Sequence, residues 1–533
     1  MSSRKLRWLT VGLFASAGAG VLSLTSIMNS AYAYGDAGMV GTAAADPNIG
    51  LVMGASGLPI PGALYVEAAD GLYLDNPGTM FYPDLTFYQA TSDDPSSLGF
   101  FGNGLFTPEG LYPLTASGVH QLLLNYPTDP TTGFPALSSS VGQGMSILES
   151  AINANMAAGD ASTVFGYSQS STIASLVMQQ LDPSGTPDTT TPEPLQFLLI
   201  ADPSAPNGGL LERFNGFETM SGQTTVDPLN LPSLGFVFDG ATPANDFPTD
   251  IYSLEYDGFA DFPRYPINFL ADLNAFLGIA DLHGTYLTNA LNGAGPSAAE
   301  IAAATANPLP GSAVLGTPDS LTNYYMIPET APLVSTLSDI PVVGKPLADL
   351  LGPDLTVLIN LGYGTDNLGY SLPADVPTPF GLFPDFTSAT LSELFTNLQT
   401  GAEQGFTALE SDLSNPSALF ASLSDLTTPV AITAAPIDSP SLTDIVNAIS
   451  SAASTAYSTL LPLADVGNAL STSVPAYDLS LFTDNVQTGD LLDAFGLPVA
   501  ANTALDTIFA GFAFNVISAA ASQIAADFAS IGF

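Results

Sequence analysis

The chain contains no cysteine and only two histidines, His120 and His283. The lack of cysteine excludes disulfide bonds, cysteine-ligated zinc, iron–sulfur clusters and a thiol nucleophile. With only two histidines, a histidine-rich metal centre is close to excluded, and any catalytic imidazole has to belong to one of these two residues. We therefore expect a site that uses neither a metal ion nor an organic cofactor.

Cations are almost as scarce. The sequence has 6 Lys and Arg against 50 Asp and Glu, a formal net charge of −44, and three of the cations are Arg4, Lys5 and Arg7. The three cations in the rest of the chain cannot neutralise a nucleic-acid backbone or a polyanionic lipid surface. We therefore expect no nucleic-acid partner.

The N-terminus has the order of an export signal. The basic segment MSSRKLR is followed by an apolar and small-residue run over residues 8–28 and then by Ala31-Tyr32-Ala33. This order predicts a signal peptide over residues 1–33, cleaved after Ala33. The alternative is an uncleaved anchor, because residues 8–28 are about long enough to span a bilayer. We expect the remainder to be secreted or to lie in the extracytoplasmic cell envelope, with peripheral association possible there.

Hydrophobic residues make up 46% of the 533 residues, which is enough for a large buried core and excludes global disorder. From about residue 46 to 300, short apolar runs alternate with segments of helical periodicity. This alternation predicts an α/β fold with a mostly parallel sheet flanked by helices. The predicted strands are residues 49–53, 162–165, 195–201 and 251–256, and the predicted helices include residues 141–157 and 173–181.

Two further regions follow. Residues of about 320–386 are apolar and interrupted by Pro and Gly, which predicts a cap laid over the sheet domain. Residues 387–533 are rich in Ala, Ser, Thr and Leu, are acidic, and have helical periodicity at 441–461 and 502–531. We interpret them as an acidic helical C-terminal appendage, and favour solvated amphipathic helices over an interaction surface.

The segment Gly166-Tyr167-Ser168-Gln169-Ser170 lies between a predicted strand and a predicted helix. This setting is typical of a nucleophile elbow, in which a tight turn holds a serine hydroxyl above the sheet edge. Ser170 stands where the usual G-x-S-x-G motif has its last glycine. Ser168 is therefore the candidate nucleophile.

A serine nucleophile needs a base and an acid, which follow it in the order acid, then histidine, in α/β-hydrolases. His283 follows Ser168 and is the candidate base, whereas His120 precedes it and is interpreted as structural. The preferred acid is Asp261, because Gly258 precedes it in a G-x-x-D arrangement after the strand 251–256.

Two other carboxylates remain candidates for the acid. Asp257 is the alternative, since it lies at the strand end, although there it could instead cap the turn. Asp202, after the strand that follows the elbow helix, is a weaker third candidate.

The oxyanion hole is predicted to use two groups. One is the backbone N–H of Gln169, directly after Ser168. The other comes from the Gly-rich loop at residues 54–59, where Ser56 could add a hydroxyl donor. On composition alone, a plain Gly-rich turn explains this loop equally well.

Several segments together carry a resemblance to a known family: LVMGASGLPIPG, FTPEGLYPLT, the GYSQS elbow, DPSAPNGGLLERF, and PTDIYSLEYDGFADFPRYPINFLADLNAFLG followed by HGTY. They resemble the PE-PPE domain, a family of cutinase-like serine hydrolases of mycobacteria. The resemblance implies a cutinase-like α/β-hydrolase domain over about residues 46–386, including the cap. It also implies a triad of Ser168, an acid of the YDGFADFP segment and His283. The chain departs from many relatives in that a predicted signal sequence stands in the place of their N-terminal PE or PPE module.

We expect a secreted or cell-envelope serine esterase or lipase that acts on acyl esters or glycolipids through an acyl-enzyme. The resemblance leaves an alternative, an acyltransferase that moves fatty acyl groups onto trehalose-type glycolipids. A hypothesis from a different class is a catalytically silent envelope protein that binds lipid or partners on a hydrolase scaffold.

Overall fold

A computed structural model describes most of the chain from residue 48 onward. The described residues are 48–55, 61, 63–75, 85–87, 140–183, 195–214, 230–231, 236–238, 240–289, 295–340, 343–414, 441–529 and 531. Features of the sequence analysis that lie outside these residues are the predicted signal peptide 1–33, the segment 106–115, His120 and Ser56.

Within the described residues, the main sheet has six strands, all parallel, in the order β2-β1-β3-β4-β7-β8. Its strands are β1 (Asn48–Val52), β2 (Leu85–Phe87), β3 (Ala161–Tyr167), β4 (Leu195–Ile200), β7 (Thr249–Leu254) and β8 (Thr322–Ile327). A separate antiparallel pair consists of β5 (Asn230–Leu231) and β6 (Phe236–Val237). The predicted α/β class with a parallel sheet is confirmed.

The strands form because their side chains are buried on both faces. In β4, Phe197 and Leu199 point to one hydrophobic cluster, and Leu198 and Ile200 to another. All four are fully buried. Parallel strands covered on both faces read as continuous apolar runs rather than alternating ones, which is why the sequence pattern located β4 well.

Helices cover both faces of the sheet and continue to the C-terminus. Among the described residues they are α1 (Ala63–Ala69), α2 (Ser140–Ala158), α3 (Gln169–Leu181), α4 (Leu210–Arg213), α5 (Phe269–Asp281), α6 (Ala298–Thr305), α7 (Pro332–Ser338), α8 (Gly344–Asn360), α9 (Ser388–Ser414), α10 (Leu442–Ser458), α11 (Leu460–Asn468), α12 (Val474–Thr488) and α13 (Leu491–Ala529). Helices α2 and α3 cover one face, and α1 and α6 the other.

One part of the predicted cap is wrong. Residues 322–327 form β8, which pairs with β7 along its whole length and closes that edge of the sheet. The strand TNYYMI is buried at five of its six residues. The cap was predicted from the Pro and Gly residues that flank this segment. In the structure these residues lie in the connections between the edge strand β8 and the neighbouring helices.

The C-terminal helices share a hydrophobic core with the α/β body. The shared cluster includes Leu210, Leu211, Phe214, Phe262, Ile279 and Phe380 of the body, and Tyr477, Ala501, Leu505, Ile508 and Phe509 of the C-terminal helices. The expectation of a solvated appendage is therefore wrong for the inner face of α13. None of the described helices has both the length and the apolar character needed to cross a membrane.

Helix α5 packs unusually close to the turn that follows β7. A Cβ atom at Gly258 would overlap the backbone carbonyl of Ala275, and one at Gly278 would overlap the carbonyl of Tyr256. Only glycine at both positions allows the helix and the turn to approach this closely.

We expect Gly278→Ala to destabilise the fold by on the order of 1–3 kcal/mol, because the added methyl group must push α5 away from the turn. Gly467→Ala is the matched control, since a Cβ there meets nothing within 4 Å. In a helix this control should be neutral or stabilising. Urea unfolding followed by circular dichroism measures both, and equal stability of the two variants would contradict the packing argument.

Candidate active site

Ser168 lies on a strained turn between β3 and α3. Its backbone has φ 58° and ψ −118°, a positive φ that is rare for a residue other than glycine. The Ser168 N–H donates to the carbonyl of Ile200 at 3.1 Å, which fixes the turn to the neighbouring strand β4. Such strain at a strand-to-helix junction is characteristic of a nucleophile elbow.

Two small residues make the elbow possible. A Cβ at Gly166 would lie 3.0 Å from Leu199 Cδ2, the Ser170 carbonyl and Ser171 Cα, so a larger residue has no room. The Ser170 hydroxyl accepts the Tyr167 N–H at 2.8 Å and donates to the Tyr167 carbonyl at 3.1 Å. The serine that replaces the last glycine of the usual motif therefore braces the turn.

His283 links the nucleophile to a carboxylate. Its Nε2 lies 2.7 Å from Ser168 Oγ, and its Nδ1 lies 2.9 Å from each carboxylate oxygen of Asp257. Ser168 and His283 are both largely buried, with 8% and 7% of their surface exposed. The three side chains form a continuous hydrogen-bonded relay in the order used by serine hydrolases.

Asp257 is fully buried, and its position comes from the end of β7. Besides His283, its carboxylate accepts the Phe259 N–H at 3.0 Å and the Tyr286 hydroxyl at 2.8 Å. A buried carboxylate is costly unless donors surround it, and here three donors converge on it, one from its own turn and two from the segment that contains His283. These donors fix the carboxylate plane against the imidazole.

The preference for Asp261 is corrected by this geometry. Asp261 does not contact His283; its Oδ2 accepts the Tyr256 N–H at 2.9 Å, and Tyr256 has a left-handed φ of 68°. Its Oδ1 has no hydrogen-bond partner among the described residues. Burial raises the pKa of Asp261 well above its usual range. Asp261 thus holds the turn that presents Asp257.

Asp202, the third candidate, is not part of the relay either. It is fully buried at the end of β4, where it accepts the Thr242 hydroxyl at 2.6 Å and the Ser204 N–H at 3.0 Å. Burial raises the pKa of Asp202 to about 6, although these hydrogen bonds act in the opposite direction. Its contacts order the loop after β4.

Three aromatic residues around His283 were missed at the level of sequence. Phe259 places its ring edge-on to the imidazole, with 4.4 Å between ring centroids, and Tyr286 binds Asp257. Tyr167, the second residue of the elbow, donates its hydroxyl to the His283 carbonyl. Their closeness in sequence to Ser168, Asp257 and His283 was the available signal.

Of the two groups predicted for the oxyanion hole, Gln169 lies within the described residues and Ser56 does not. Gln169 is the first residue of α3, so its backbone N–H belongs to the first turn of the helix beside Ser168. This end of a helix favours negative charge. Gly54 and Ala55 lie just beyond Met53, the residue after β1, and β1 pairs with β3 and ends at the same sheet edge. Ser56 lies outside the described residues.

No group of three or more His, Asp or Glu side chains that could hold a metal ion comes together within the described part of the chain. The relay consists of one carboxylate, one imidazole and one hydroxyl, with aromatic rings around them. The arrangement is suited to proton transfer from a hydroxyl to an imidazole and to attack by the resulting oxygen nucleophile.

We expect the stability of Asp261→Asn relative to the wild type to increase as the pH rises from about 4 to 7. The raised pKa of Asp261 means that the folded chain resists ionising this group, so the wild type loses stability above the unfolded-state pKa of about 3.9. Asparagine has no charge and retains an oxygen for the Tyr256 N–H. Urea unfolding at several pH values measures the difference, with Glu410→Gln as the control for losing one exposed carboxylate. A difference that grows towards low pH would contradict this role.

One family model and several known proteins match the chain. Residues 102–364 match the family model described as the PE-PPE domain. The chain is 39% identical over 509 residues to the PPE family protein PPE28 of Mycobacterium tuberculosis, a match that covers 92% of this chain and 68% of that protein. It is 36% identical over 337 residues to the protein of the same organism named esterase PE16, covering 63% of this chain and 51% of the relative.

A third relative, the PE family protein PE3 of Mycobacterium tuberculosis, is 40% identical over 281 residues, with 52% of each chain covered. The chain thus spans about two thirds of PPE28 and about half of PE16 and PE3. No solved structure matches it. By its sequence over residues 102–364 and its similarity to PPE28, the chain belongs to the PE-PPE domain family.

Proposed function

We propose that the protein is a serine esterase that acts on acyl esters through Ser168, His283 and Asp257. The observation that carries this proposal is the relay itself: 2.7 Å from Ser168 Oγ to His283 Nε2, and 2.9 Å from Nδ1 to Asp257. The strained elbow and the esterase-named relative support it further.

The first half of the reaction forms an acyl-enzyme. His283 Nε2 takes the proton of Ser168 as Oγ attacks the ester carbonyl carbon, which gives a tetrahedral oxyanion. Asp257 keeps the proton on Nδ1 and stabilises the imidazolium that forms. The oxyanion lies near the first turn of α3, where the Gln169 N–H is the donor we assign to it. When the intermediate collapses, the alcohol leaves with the proton from Nε2, and the acyl group remains on Ser168.

The second half removes the acyl group. His283 deprotonates a water molecule, which attacks the acyl-enzyme and releases the carboxylic acid, and the proton returns to Ser168. An alcohol, such as a sugar hydroxyl, would follow the same steps and give a new ester. Hydrolysis and transfer to a trehalose-type glycolipid therefore differ only in the acceptor.

A catalytically silent binding protein has no need of an intact relay. Buried polar groups are costly, and a chain that uses the scaffold only for binding gains nothing from keeping Ser168 on a strained turn. The geometry thus favours catalysis. Because the sequence predicts a signal peptide over residues 1–33, we propose that this activity lies outside the cytoplasm, in the cell envelope or beyond it.

We expect Ser168→Ala to lower kcat on p-nitrophenyl esters by on the order of 10⁶, because no other hydroxyl takes its place. Asp257→Asn should lower kcat by about 10⁴, because an amide cannot hold the required imidazole tautomer. Asp261→Asn is the matched control, and should change kcat less than about tenfold. A larger loss in Asp261→Asn than in Asp257→Asn would contradict the assignment of the acid.

The acceptor is identified by mass spectrometry of the products formed from acylated trehalose. Free fatty acid indicates hydrolysis, whereas trehalose species that gain acyl chains indicate transfer and would replace the esterase assignment. No turnover of any ester in the wild type, together with no labelling of Ser168 by a fluorophosphonate probe, would favour the silent binding protein.

A further inference from the structure

Helix α13 reaches the active site through two successive ring contacts. The Phe512 ring lies parallel to that of Phe259, with 5.8 Å between centroids and 13° between planes. Phe259 in turn contacts the His283 ring in an edge-to-face arrangement, with 4.4 Å between centroids and 62° between planes. A residue of the C-terminal segment is thus one side chain away from the imidazole.

Phe259 contacts two members of the relay at once. Its ring packs on His283, and its backbone N–H donates to Asp257 Oδ1. Its carbonyl accepts the Leu210 N–H at 2.8 Å, which ties its backbone to the start of α4. The backbone of Phe259 is therefore held by the α/β body, whereas Phe512 restrains its ring.

The position of Phe512 is fixed by the packing of α13 rather than by the stack. A Cβ at the preceding residue, Gly511, would overlap the ring of Phe276 on α5, so the two helices cross in direct contact there. Leu505 and Ile508, on the two preceding turns of α13, are each only 1% exposed. Helix α13 thus presents Phe512 to the site as a rigid element.

The side chains that link Phe512 to Ser168 are all largely buried. Phe259 and Phe512 are each 8% exposed, which is close to the values for Ser168 and His283. Loss of the Phe512 ring would expose the Phe259 ring to water beside the imidazole. Water weakens the interaction between imidazolium and carboxylate by raising the local dielectric constant, and a free Phe259 ring no longer restrains the rotation of His283.

We propose that Phe512, on α13, is a positioning residue, which holds the His283 ring between Ser168 and Asp257 by stacking on Phe259. The effect of Phe512 on turnover rests on the proposed function. The effect of Phe512 on the position of the His283 ring is independent of that function, because the hydrogen bond from Nδ1 to Asp257 exists in the free protein.

The test compares three variants of the full chain: Phe512→Ala, Phe512→Tyr and the control Phe509→Ala. The control removes the same side chain from the same helix at a more deeply buried position. The readouts are the rate of Ser168 labelling by a fluorophosphonate probe, kcat and KM for a short p-nitrophenyl ester, and thermal unfolding. A fourth readout is the downfield proton resonance of His283 Nδ1–H, which is assigned easily because the chain has only two histidines.

We expect Phe512→Ala to lower the labelling rate and kcat by about 10- to 100-fold with little change in KM, because the imidazole is misplaced and ester binding is not. The Nδ1–H resonance should broaden or disappear. Phe512→Tyr retains the ring and should restore all three values. Phe509→Ala should lower the unfolding temperature and leave labelling, kcat and the resonance near those of the wild type.

Equal losses of labelling in Phe512→Ala and Phe509→Ala would overturn the proposal, as would no loss in Phe512→Ala. If Phe512→Ala does not fold, Phe512→Leu replaces it, and a labelling rate equal to the wild type would then overturn the proposal. If the wild type turns over no ester, the proposed function fails, but the Nδ1–H resonance of the same variants still decides whether Phe512 positions His283.

Discussion

The site depends on the close approach of α5 to the turn after β7. Gly258 and Gly278 allow backbone contact there, where any side chain would overlap a carbonyl oxygen. The same approach brings together Asp257, at the end of β7, and His283, just after α5, whose N–H donates to the Gly278 carbonyl at 3.0 Å. Ser168 comes from β3, on the far side of β4, so the His283 ring must bridge the width of one strand. The backbone contact between α5 and the turn after β7 thus determines how the Asp257 and His283 side chains meet.

A second constraint is the shortage of cations. With 50 acidic residues and 6 basic ones, the protein cannot neutralise its buried carboxylates with ion pairs. Asp257 and Asp202 instead accept several hydrogen bonds, and burial raises the pKa of Asp202, Asp261 and Asp272. The buried Arg213 is bound mainly by neutral oxygens, including the Phe262 carbonyl, and burial lowers its pKa to about 10.

Local sequence patterns predicted the strands and the turn whose conformation depends on neighbouring residues in the sequence. Continuous apolar runs located β3, β4 and β7, and the small residues around Ser168 identified the elbow. The order of residues selected His283 because only two histidines exist. The choice between Asp257 and Asp261 could not be made locally, because it depends on which carboxylate faces His283 after the turn folds back on Tyr256. The edge strand β8 and the docking of α13 also depend on partners distant in sequence.

The docking of α13 has a physical consequence for how the chain is organised. Its inner face has Ala500, Ala501 and Ala504, whose small side chains let the helix lie close to the α/β body, and larger residues follow one turn later. Close approach is needed because the stack of Phe512 on Phe259 spans only 5.8 Å. The energy that seats α13 comes from its burial, far more than a single ring pair contributes. Helix α13 is therefore held firmly against the α/β body and can position Phe512. The sequence changes in composition at about residue 387, but the residues on either side of this boundary share one hydrophobic core.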